Sequence, residues 1–366
     1  MKSTIKREDL LAPLQNIIGA VERRQTLPIL GNVLFKSTGG DLSLSATDLE
    51  IEMVSSVVTE SSDDFQTTIP ARKLLDICKA LPEGSVINFS VEENRVSLTS
   101  GRSRFTLATL PAKDFPGLDE IAVQQSFAIP QKLLKSLFDK TSFAMAQQDV
   151  RYYLNGILME ITGNSIKLVS TDGHRLALSE SSLDSGVDDD RQIIIPRKAV
   201  LELSRLLDSS DSEARCELSQ NHFRIECGNL VFTTKLIDGK FPDYERVIPV
   251  DGNKTMRVER ETLKQSMSRI AILSNEKYRG IRLALSSSNL SIQANNPDQE
   301  EAEEELQVEY DESDMEIGFN VTYLIDVLNV LTSEKVQVKL KDSNSSAIIS
   351  DSEDESSLYV VMPMRL

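Results

Sequence analysis

The amino-acid sequence predicts an α+β protein of three homologous domains, each with two helices and two antiparallel sheets. Similar strand-like segments recur at equal intervals, at residues 44–48 (LSATD), 168–172 (LVSTD) and 292–296 (IQANN). Each copy also contains two segments with apolar residues at helical spacing, separated by alternating apolar and polar residues. The repeat is far longer than a solenoid unit, which favours separate domains. The expected domains are residues 1–125, 126–250 and 251–366.

Each domain is expected to begin with a strand and an amphipathic helix. In the first copy, Leu10, Leu14 and Ile17 share one side of a helix because they are three or four residues apart. The same spacing returns in the other two copies. These strand and helix pairs are predicted over residues 3–21, 127–145 and 256–273. A second helix is predicted in each copy, over residues 69–81, 195–207 and 319–331.

Composition favours a folded protein without a disulfide framework. Apolar residues make up 40% of the 366 residues, which is enough for a substantial core. Cys78, Cys216 and Cys227 are odd in number and widely spaced, which excludes a CxxC motif. No apolar run is long enough to span a membrane, and the first residues lack the apolar stretch of a secretory signal. We therefore expect a cytoplasmic protein without a membrane partner.

The formal net charge of -17 does not by itself exclude a DNA-binding surface, because charge acts locally at physiological salt. Acidic residues concentrate at 184–190, 298–305 and 351–355, whereas several helices carry basic residues on their polar side. Helices with a basic face in successive copies predict a surface that contacts phosphates without sequence specificity. Each such face is also compatible with an ordinary solvated helix surface, and the last helix has no basic residue. The basic residues concerned are Arg72, Lys73, Lys79, Lys132, Lys135, Lys140, Arg197, Lys198, Arg205, Lys264 and Arg269.

Catalytic motifs are not evident, and no cofactor or metal is expected. His174 and His222 are the only two histidines, and no G-x-S-x-G nucleophile motif lies near the TDGHR segment of His174. A phosphate-binding G-x-x-x-x-G-K-[ST] loop and the spacing of an EF-hand are both absent. An enzyme is the weaker hypothesis. A repeat-built interaction scaffold that does not contact DNA remains an alternative to a DNA-binding ring.

Six segments distributed over the whole chain resemble the bacterial β sliding clamps of the DNA polymerase III holoenzyme. They are residues 26–32 (TLPILGN), 148–156 (QDVRYYLNG), 171–177 (TDGHRLA), 241–244 (FPDY), 295–304 (NNPDQEEAEE) and 359–366 (YVVMPMRL). The resemblance implies three DNA-clamp domains and a head-to-tail homodimer that closes into a ring around double-stranded DNA. It implies a processivity factor for the polymerase rather than an enzyme. It also implies a location in the cytoplasm, associated with the nucleoid.

The resemblance further implies several protein partners. They are the α subunit of DNA polymerase III, the clamp loader complex, other DNA polymerases, ligase and mismatch repair proteins. These partners would bind through short linear motifs in a cleft between the second and third domains. The matching cleft residues are Leu154, Thr171, Gly173, His174, Arg175, Leu176, Pro242, Arg246, Val247, Asn320, Tyr323, Ser346, Val360, Met362, Pro363, Met364 and Arg365. Tyr278 and Asn344 are more polar than expected at their cleft positions.

A candidate dimer interface combines a basic strand with an acidic segment. A strand over residues 100–110 is predicted to place Arg102 and Arg104 on one face and Phe105 and Leu107 on the other. By resemblance, this strand meets the third domain of a second copy near its acidic run, which is otherwise readable as a solvated loop. The predicted interface residues are Lys73, Arg102, Arg104, Phe105, Leu107, Ile272, Leu273, Glu300, Glu301, Glu303 and Glu304.

Candidate DNA contacts come from two sources. The resemblance implies Arg24, Arg72, Gln148, Tyr152 and Tyr153, whereas the basic helix pattern adds Arg197, Lys198 and Arg205. Arginine can pair with phosphate, and tyrosine can stack on exposed bases near a primer junction. Tyr152 and Tyr153 are equally compatible with a strand in which one ring is buried.

Overall fold

The computed structural model describes residues 2–22, 27–59, 64–118, 121–187, 189–250 and 252–365. Six α-helices lie in these ranges, two in each predicted repeat, as expected from the sequence. None of the helices in these ranges is long and apolar enough to cross a membrane. The helices are α1 (Arg7–Ile17), α2 (Ala71–Ala80), α3 (Gln131–Thr141), α4 (Arg197–Leu206), α5 (Arg260–Ile270) and α6 (Val321–Val330).

Strands precede each helix and form antiparallel sheets throughout. Their side chains alternate between buried and exposed positions, as expected where one face of a sheet packs on a core. The strands are β1 (Lys2–Lys6), β2 (Asn32–Thr38), β3 (Asp41–Thr47), β4 (Ile51–Val58), β5 (Phe65–Pro70), β6 (Val86–Glu92), β7 (Arg95–Ser100), β8 (Ser103–Ala108), β9 (Gln125–Pro130), β10 (Gly156–Ile161), β11 (Ser165–Thr171), β12 (Arg175–Ser182), β13 (Arg191–Pro196), β14 (Glu213–Leu218), β15 (His222–Cys227), β16 (Leu230–Lys235), β17 (Lys254–Glu259), β18 (Gly280–Ser286), β19 (Asn289–Asn295), β20 (Glu301–Gln307), β21 (Met315–Asn320), β22 (Lys335–Leu340), β23 (Ala347–Asp351) and β24 (Ser357–Val361).

The chain divides into two compact units. The first unit comprises residues 1–132 and 202–236. It contains a four-stranded sheet in the order β1-β6-β7-β8 and an eight-stranded sheet in the order β5-β2-β3-β4-β16-β15-β14-β9. Helix α1 packs against β3, β4 and α2, with Leu10, Leu14 and Ile17 buried as the helical spacing predicts.

The second unit comprises residues 133–201 and 237–366. Its eight-stranded sheet has the order β13-β10-β11-β12-β24-β23-β22-β17, and its four-stranded sheet has the order β20-β19-β18-β21. Helix α5 packs against α6, β19 and β20. The main core lies around these helices and includes Leu263, Met267 and Phe319. A second, smaller hydrophobic cluster lies beside β10 and β12.

Each eight-stranded sheet consists of four strands from one repeat joined to four from the next. The joining strands are β4 with β16 in the first unit and β12 with β24 in the second, both antiparallel. The two remaining half-sheets end at β8 and β20. Neither strand has a further neighbour among the described strands, so each presents an open edge.

Two expectations about the acidic and basic segments require correction. The predicted strand 100–110 is interrupted, because Gly101 adopts a φ of +55° and forms a tight turn with Arg102. Arg102 therefore lies in the turn between β7 and β8 rather than in a strand beside Arg104. The solvated-loop alternative for the acidic run is also wrong over residues 301–307, which form the edge strand β20.

Candidate functional site

The turn between β11 and β12 is organised by the side chain of Asp172. Its Oδ1 accepts hydrogen bonds from the backbone N–H groups of His174 (2.9 Å) and Arg175 (3.0 Å). The hydroxyl of Thr171 donates to the Arg175 carbonyl at 2.6 Å, and Gly173 has a φ of +90°. A positive φ and an aspartate that bonds two residues ahead are typical of a tight, rigid turn. The four predicted cleft residues 171, 173, 174 and 175 are thus held together.

Arg175 connects this turn to two other parts of the second unit. Its guanidinium pairs with Asp172 at 3.1 Å and with Asp326 of α6 at 2.5 Å, and it donates to the Phe143 carbonyl at 2.7 Å. The guanidinium also lies 4.5 Å from the Tyr323 ring centre. Only 12% of the side chain is exposed. Arg175 therefore acts as an internal connection, and each of its three guanidinium nitrogens donates a hydrogen bond within the protein.

The C-terminal segment docks against the same turn. Strand β24 pairs with β12, and the backbone N–H of Met362 donates to the His174 carbonyl at 2.9 Å. Two residues later, the N–H of Met364 donates to the carbonyl of Gly318 in β21 at 2.9 Å. Chain ends stay ordered when such bonds attach them. The segment therefore forms one side of the predicted cleft.

Apolar cleft residues separate into a buried floor and an exposed rim. Leu154, Leu176 and Val360 are buried together in the smaller hydrophobic cluster of the second unit. Val247 is 42% exposed and Met362 is 37% exposed, and Pro242 is exposed too. We call residues 241–248 the rim segment. A buried apolar floor with exposed apolar groups above it is suited to leucine and phenylalanine side chains of a peptide.

Two grooves flank the end of the C-terminal segment. One has a volume of about 590 Å³ and is lined by Asn344, Pro363 and Arg365 among others. The second, of about 440 Å³, is lined by Tyr278, Met364 and Arg365. The two polar positions singled out from the sequence thus line two grooves that share Met364 and Arg365.

The remaining predicted cleft residues have diverse surroundings. Asn320 caps α6 by accepting from the Thr322 N–H at 2.9 Å, which is a structural role. Arg246 is exposed and pairs with Asp243 at 2.6 Å. Tyr323 is half-buried beneath Arg175, and burial raises the pKa of its phenol. Ser346 is half-buried just before β23.

Sequence reasoning missed the residues that support the cleft from behind. Asp326 and Phe143 hold Arg175, while Glu160 accepts a hydrogen bond from Tyr244, a buried residue of the rim segment. Arg151 donates to the Asp172 carbonyl at 3.2 Å. No spacing rule links residues so far apart in the chain. Asp172 was discernible, since aspartate three residues before an arginine in a glycine-containing turn is a local signal.

Predicted DNA contacts are only partly exposed. Arg24 lies outside the described residues. Arg72, Lys73 and Lys79 extend from α2 into solvent, and their side chains contact no acidic partner in the described part of the chain. Gln148 is exposed with a φ of +56°, close to the acidic Asp149. These residues remain available to an external ligand.

The two tyrosines lie in a short 3-10 turn rather than a strand, and only one of them is exposed. Tyr152 is 57% exposed, whereas Tyr153 packs against the smaller hydrophobic cluster. Their ring centres are 5.8 Å apart in an edge-on arrangement. One exposed ring supported by a half-buried one is a suitable surface for stacking.

Arg197 and Arg205 of α4, both predicted DNA contacts, make hydrogen bonds within the protein. The Arg197 guanidinium donates to the Met145 carbonyl at 3.2 Å. Arg205 donates to the carbonyls of Gln15 and Asn16 at the end of α1, and it pairs with Glu202 at 3.0 Å. Lys198 is half-buried. The basic face of α4 therefore contributes to packing as well as to surface charge.

Several of the predicted dimer residues lie on the two open sheet edges, whereas Lys73 lies on α2 and Ile272 and Leu273 follow α5. On β8, Arg104 is exposed, while Phe105 and Leu107 lie opposite Leu98 and Val96 of β7. Ile272, directly after α5, is 75% exposed. Half-buried apolar side chains on the open edge of β8, together with the exposed Ile272, indicate a protein contact surface.

The acidic side of this candidate interface is β20 and the turn before it. Glu300, Glu301 and Glu303 are exposed, whereas Glu304 is half-buried and forms an ion pair with Arg269 of α5. The hydrogen bond from Arg269 within this ion pair holds the pKa of Glu304 below its usual value. Leu273 is half-buried, and Lys73 of α2 is exposed. A basic edge and an acidic edge are thus present on one chain.

Comparison with known proteins identifies relatives over the full length of the chain. The domains of the DNA polymerase III beta subunit match at residues 1–119 (N-terminal), 128–243 (central) and 245–365 (C-terminal). The beta sliding clamps of Pseudomonas aeruginosa and Escherichia coli K12 are 55% and 50% identical over 100% of each chain.

Solved structures agree with the sequence comparison. The sliding clamp of P. aeruginosa bound to griselimycin has a TM-score of 0.97 at 55% identity, over 100% of both chains. The Caulobacter crescentus polymerase III beta protein has a TM-score of 0.94 at 36% identity, again over 100% of both chains. The open edges, the docked C-terminal segment and these full-length matches have one explanation. The chain belongs to the DNA polymerase III beta subunit family, the bacterial beta sliding clamps.

Proposed function

We propose that the chain is a DNA sliding clamp in which two copies join head to tail and encircle duplex DNA. The ring tethers the replicative polymerase and other DNA-processing proteins to the template, and it has no catalytic activity of its own. The observation that carries this proposal is the pair of open edges on β8 and β20. In the repeat, β8 corresponds to β16 and β24, and β20 corresponds to β4 and β12. Within the chain these corresponding strands pair with each other, β16 with β4 and β24 with β12.

The register of the internal junctions predicts the register between copies. Strands β4 and β12 each pair with the partner repeat over five residues. We aligned β20 with β4 and β12, and β8 with β16 and β24, by their positions in the repeat. Both internal junctions then give the same register between copies, in which Glu303 lies opposite Arg104 and Ala302 lies opposite Phe105. Opposite charges directly across a strand pair stabilise it. The two half-sheets would then form a third eight-stranded sheet across the interface.

The side chains near these edges support a mixed interface. Phe105 and Leu107 supply apolar surface on β8, and Ile272 and Leu273 supply it after α5. Arginine and lysine on one copy face an acidic edge on the other, which also favours correct orientation. The proposed interface comprises Lys73, Arg102, Arg104, Phe105, Leu107, Ile272, Leu273, Glu300, Glu301, Glu303 and Glu304. A heterologous contact that closes after two copies produces a ring.

Contacts to DNA are proposed to be weak and independent of base sequence. Arg72 is available for such a contact, because its side chain is exposed and contacts no carboxylate in the described ranges. Gln148, Tyr152 and Tyr153 would contact the strand near a primer junction. Arg24, Arg197, Lys198 and Arg205 complete the proposed set, although the bonds of Arg205 to α1 reduce its availability. Topological enclosure makes strong phosphate contacts unnecessary.

The floor, rim and C-terminal segment of the second unit form the proposed peptide-binding cleft. The solved clamp relative bound to griselimycin supports this assignment, because it is 55% identical over its full length. Leu154, Leu176 and Val360 would lie under an inserted apolar side chain, with Val247 and Met362 at its edge. The α subunit of DNA polymerase III, the clamp loader, other polymerases, ligase and mismatch repair proteins are the proposed partners. We also propose the domain limits 1–125, 126–250 and 251–366, and a cytoplasmic location associated with the nucleoid.

Retention on circular DNA tests the proposal directly. The protein is loaded onto a singly nicked plasmid with a clamp loader and ATP, and the plasmid is then cut once. We expect the protein to remain on the circle through gel filtration at moderate salt and to leave once the DNA is linear. Retention that is the same on both forms, or no retention on the circle, would contradict enclosure and favour a scaffold that does not surround DNA.

A further inference from the structure

The rim segment is attached to the second unit mainly by side chains. Phe241 and Tyr244 are each only 7% exposed and belong to the same hydrophobic cluster as the cleft floor. Backbone support is sparse, since residues 244–247 form a short 3-10 turn and the Ile248 N–H reaches the Glu245 carbonyl only at 3.4 Å. Side-chain anchors must therefore determine where Pro242 and Val247 stand.

Tyr244 provides the polar anchor. Its hydroxyl donates to Oε2 of Glu160 in β10 at 2.7 Å. The other carboxylate oxygen of Glu160 accepts from Gln192 of β13 at 2.7 Å, and β10 and β13 pair at this point. Glu160 is thereby fixed by the sheet on one side while it holds the rim segment on the other. A hydrogen bond to a charged acceptor is stronger than one between neutral groups.

The phenol of Tyr244 is suited to act as a permanent donor. Burial, together with the hydrogen bond to Glu160, raises the pKa of this phenol well above its ordinary value of 10. The hydroxyl consequently keeps its proton throughout the physiological range.

We propose that Tyr244 is a positioning residue for peptide recognition, acting through its hydrogen bond to Glu160. This bond holds Pro242 and Val247 at a fixed height above Leu154, Leu176 and Val360, and so determines the width of the cleft. The proposal rests on the assignment of the cleft to peptide binding. Within the rim segment, the Tyr244 side chain is buried and directed to Glu160, so its proposed role is to position the exposed rim residues. Preorganised rims raise affinity because fewer groups must be ordered on binding.

Tyr244→Phe tests the role of the hydroxyl without removing the ring. Griselimycin, the ligand in the related P. aeruginosa clamp structure, serves as the probe, and its affinity and dissociation rate are measured by surface plasmon resonance. We expect affinity to fall about tenfold, mainly through faster dissociation. Tyr310→Phe is the matched control, because its buried hydroxyl also makes one hydrogen bond, to the Ser313 carbonyl at 2.7 Å, and Tyr310 belongs to the main core rather than to the cluster under the cleft.

Changes at Glu160 separate positioning from general stability. Glu160→Gln keeps an acceptor for Tyr244 and should bind griselimycin nearly as tightly as the unaltered protein. Glu160→Ala removes the acceptor and should match Tyr244→Phe, and the double variant Tyr244→Phe/Glu160→Ala should be no weaker than either single one. Additive losses, or equal affinity in Tyr244→Phe and Tyr310→Phe, would overturn the proposal.

Hydrogen exchange without any ligand distinguishes this proposal from the cleft assignment. In Tyr244→Phe, amides of the rim segment should exchange faster while those of β10 and β13 stay protected. Unchanged exchange in the rim segment would refute the anchor even if the cleft binds peptides. Failure of the unaltered protein to bind griselimycin would refute the cleft assignment, and the exchange result would still report on the anchor.

Discussion

The guanidinium of Arg175 and the carboxylate of Asp326 form an ion pair of 2.5 Å that joins β12 to α6. The same guanidinium bonds to Asp172 and to the Phe143 carbonyl, so one side chain connects three segments of the second unit. With only 12% of this side chain exposed, solvent does little to screen these contacts. The candidate cleft is therefore built on a rigid support rather than on a mobile loop.

Arg175→Ala should destabilise the protein by about 3 kcal/mol, because it leaves two carboxylates without their cationic partner and the Phe143 carbonyl without its donor. Chemical denaturation followed by circular dichroism measures this change. Arg246→Ala is the control, since that side chain is 84% exposed and its loss should cost less than about 0.5 kcal/mol. Equal stabilities of the two variants would show that the Arg175 contacts do not support the fold.

Deleting residues 362–366 should abolish griselimycin binding and stimulation of the polymerase. The deletion removes Met362, whose backbone bond to His174 forms one side of the cleft, and Met364, which bonds to Gly318. The dimer should persist, because neither β8 nor β20 is touched. Sedimentation at the same protein concentration provides the control. A monomeric deletion variant would count against the separation of cleft and interface.

Arg104→Glu should shift the dimer towards monomer by placing like charges opposite one another across β8 and β20. Adding Glu303→Arg should restore the dimer, because the proposed register places these two residues directly opposite. Sedimentation equilibrium at low salt measures both effects, and high salt should reduce the difference.

Glu300→Arg provides the matched control for this register. Glu300 is equally exposed and acidic, but the same alignment places it opposite Leu107. It should therefore rescue Arg104→Glu much less than Glu303→Arg does. If Glu300→Arg and Glu303→Arg restored the dimer equally, the attraction would depend on the overall charge of the two edges. The register inferred from the internal junctions would then be wrong.

Arg72→Ala should reduce the salt dependence of DNA binding by about one phosphate contact without altering stability. Arg205→Ala should instead lower stability and leave the salt dependence of DNA binding nearly unchanged, because its guanidinium bonds to the end of α1 and to Glu202. We expect Arg205→Ala to lower the free energy of unfolding by about 1 kcal/mol. Fluorescence anisotropy with duplex DNA across a salt series, paired with thermal unfolding, separates the two. If Arg72→Ala lowered stability and Arg205→Ala reduced the salt dependence of DNA binding, the roles of the two residues would have to be exchanged.

Asp149 should remain ionised to unusually low pH. Hydrogen bonds from the Arg151 guanidinium and backbone lower the pKa of this carboxyl from 3.8 to about 2. The Asp149 carboxylate of the folded state takes up its proton at a lower pH than that of the unfolded state. Its ionised form therefore stabilises the folded state fully above about pH 4, and this stabilisation is lost as the pH falls towards 2. Carboxyl carbon NMR should show the low midpoint, and Arg151→Ala should return it towards 3.8. Arg257→Ala, a distant control, should leave the titration unchanged.

The sequence alone was sufficient for the repeat, the six helices and the strands before them. Apolar residues such as Leu10, Leu14 and Ile17 lie within one or two helical turns of each other, so their spacing reports burial directly. The motifs that resemble known clamps likewise predicted the residues that the structure places in the floor and the C-terminal segment of the candidate cleft. Local patterns of this kind can be recognised in a single sequence.

Only the tertiary structure decided which distant residues meet. The joining of β12 to β24, the pairing of Arg175 with Asp326 and the anchoring of Tyr244 by Glu160 unite residues separated by long stretches of chain. The use of Arg205 to cap α1, and the turn that removes Arg102 from β8, were equally invisible in the pattern of charges. Such contacts depend on how half-sheets and helices pack, and neither residue type nor local spacing carries that information.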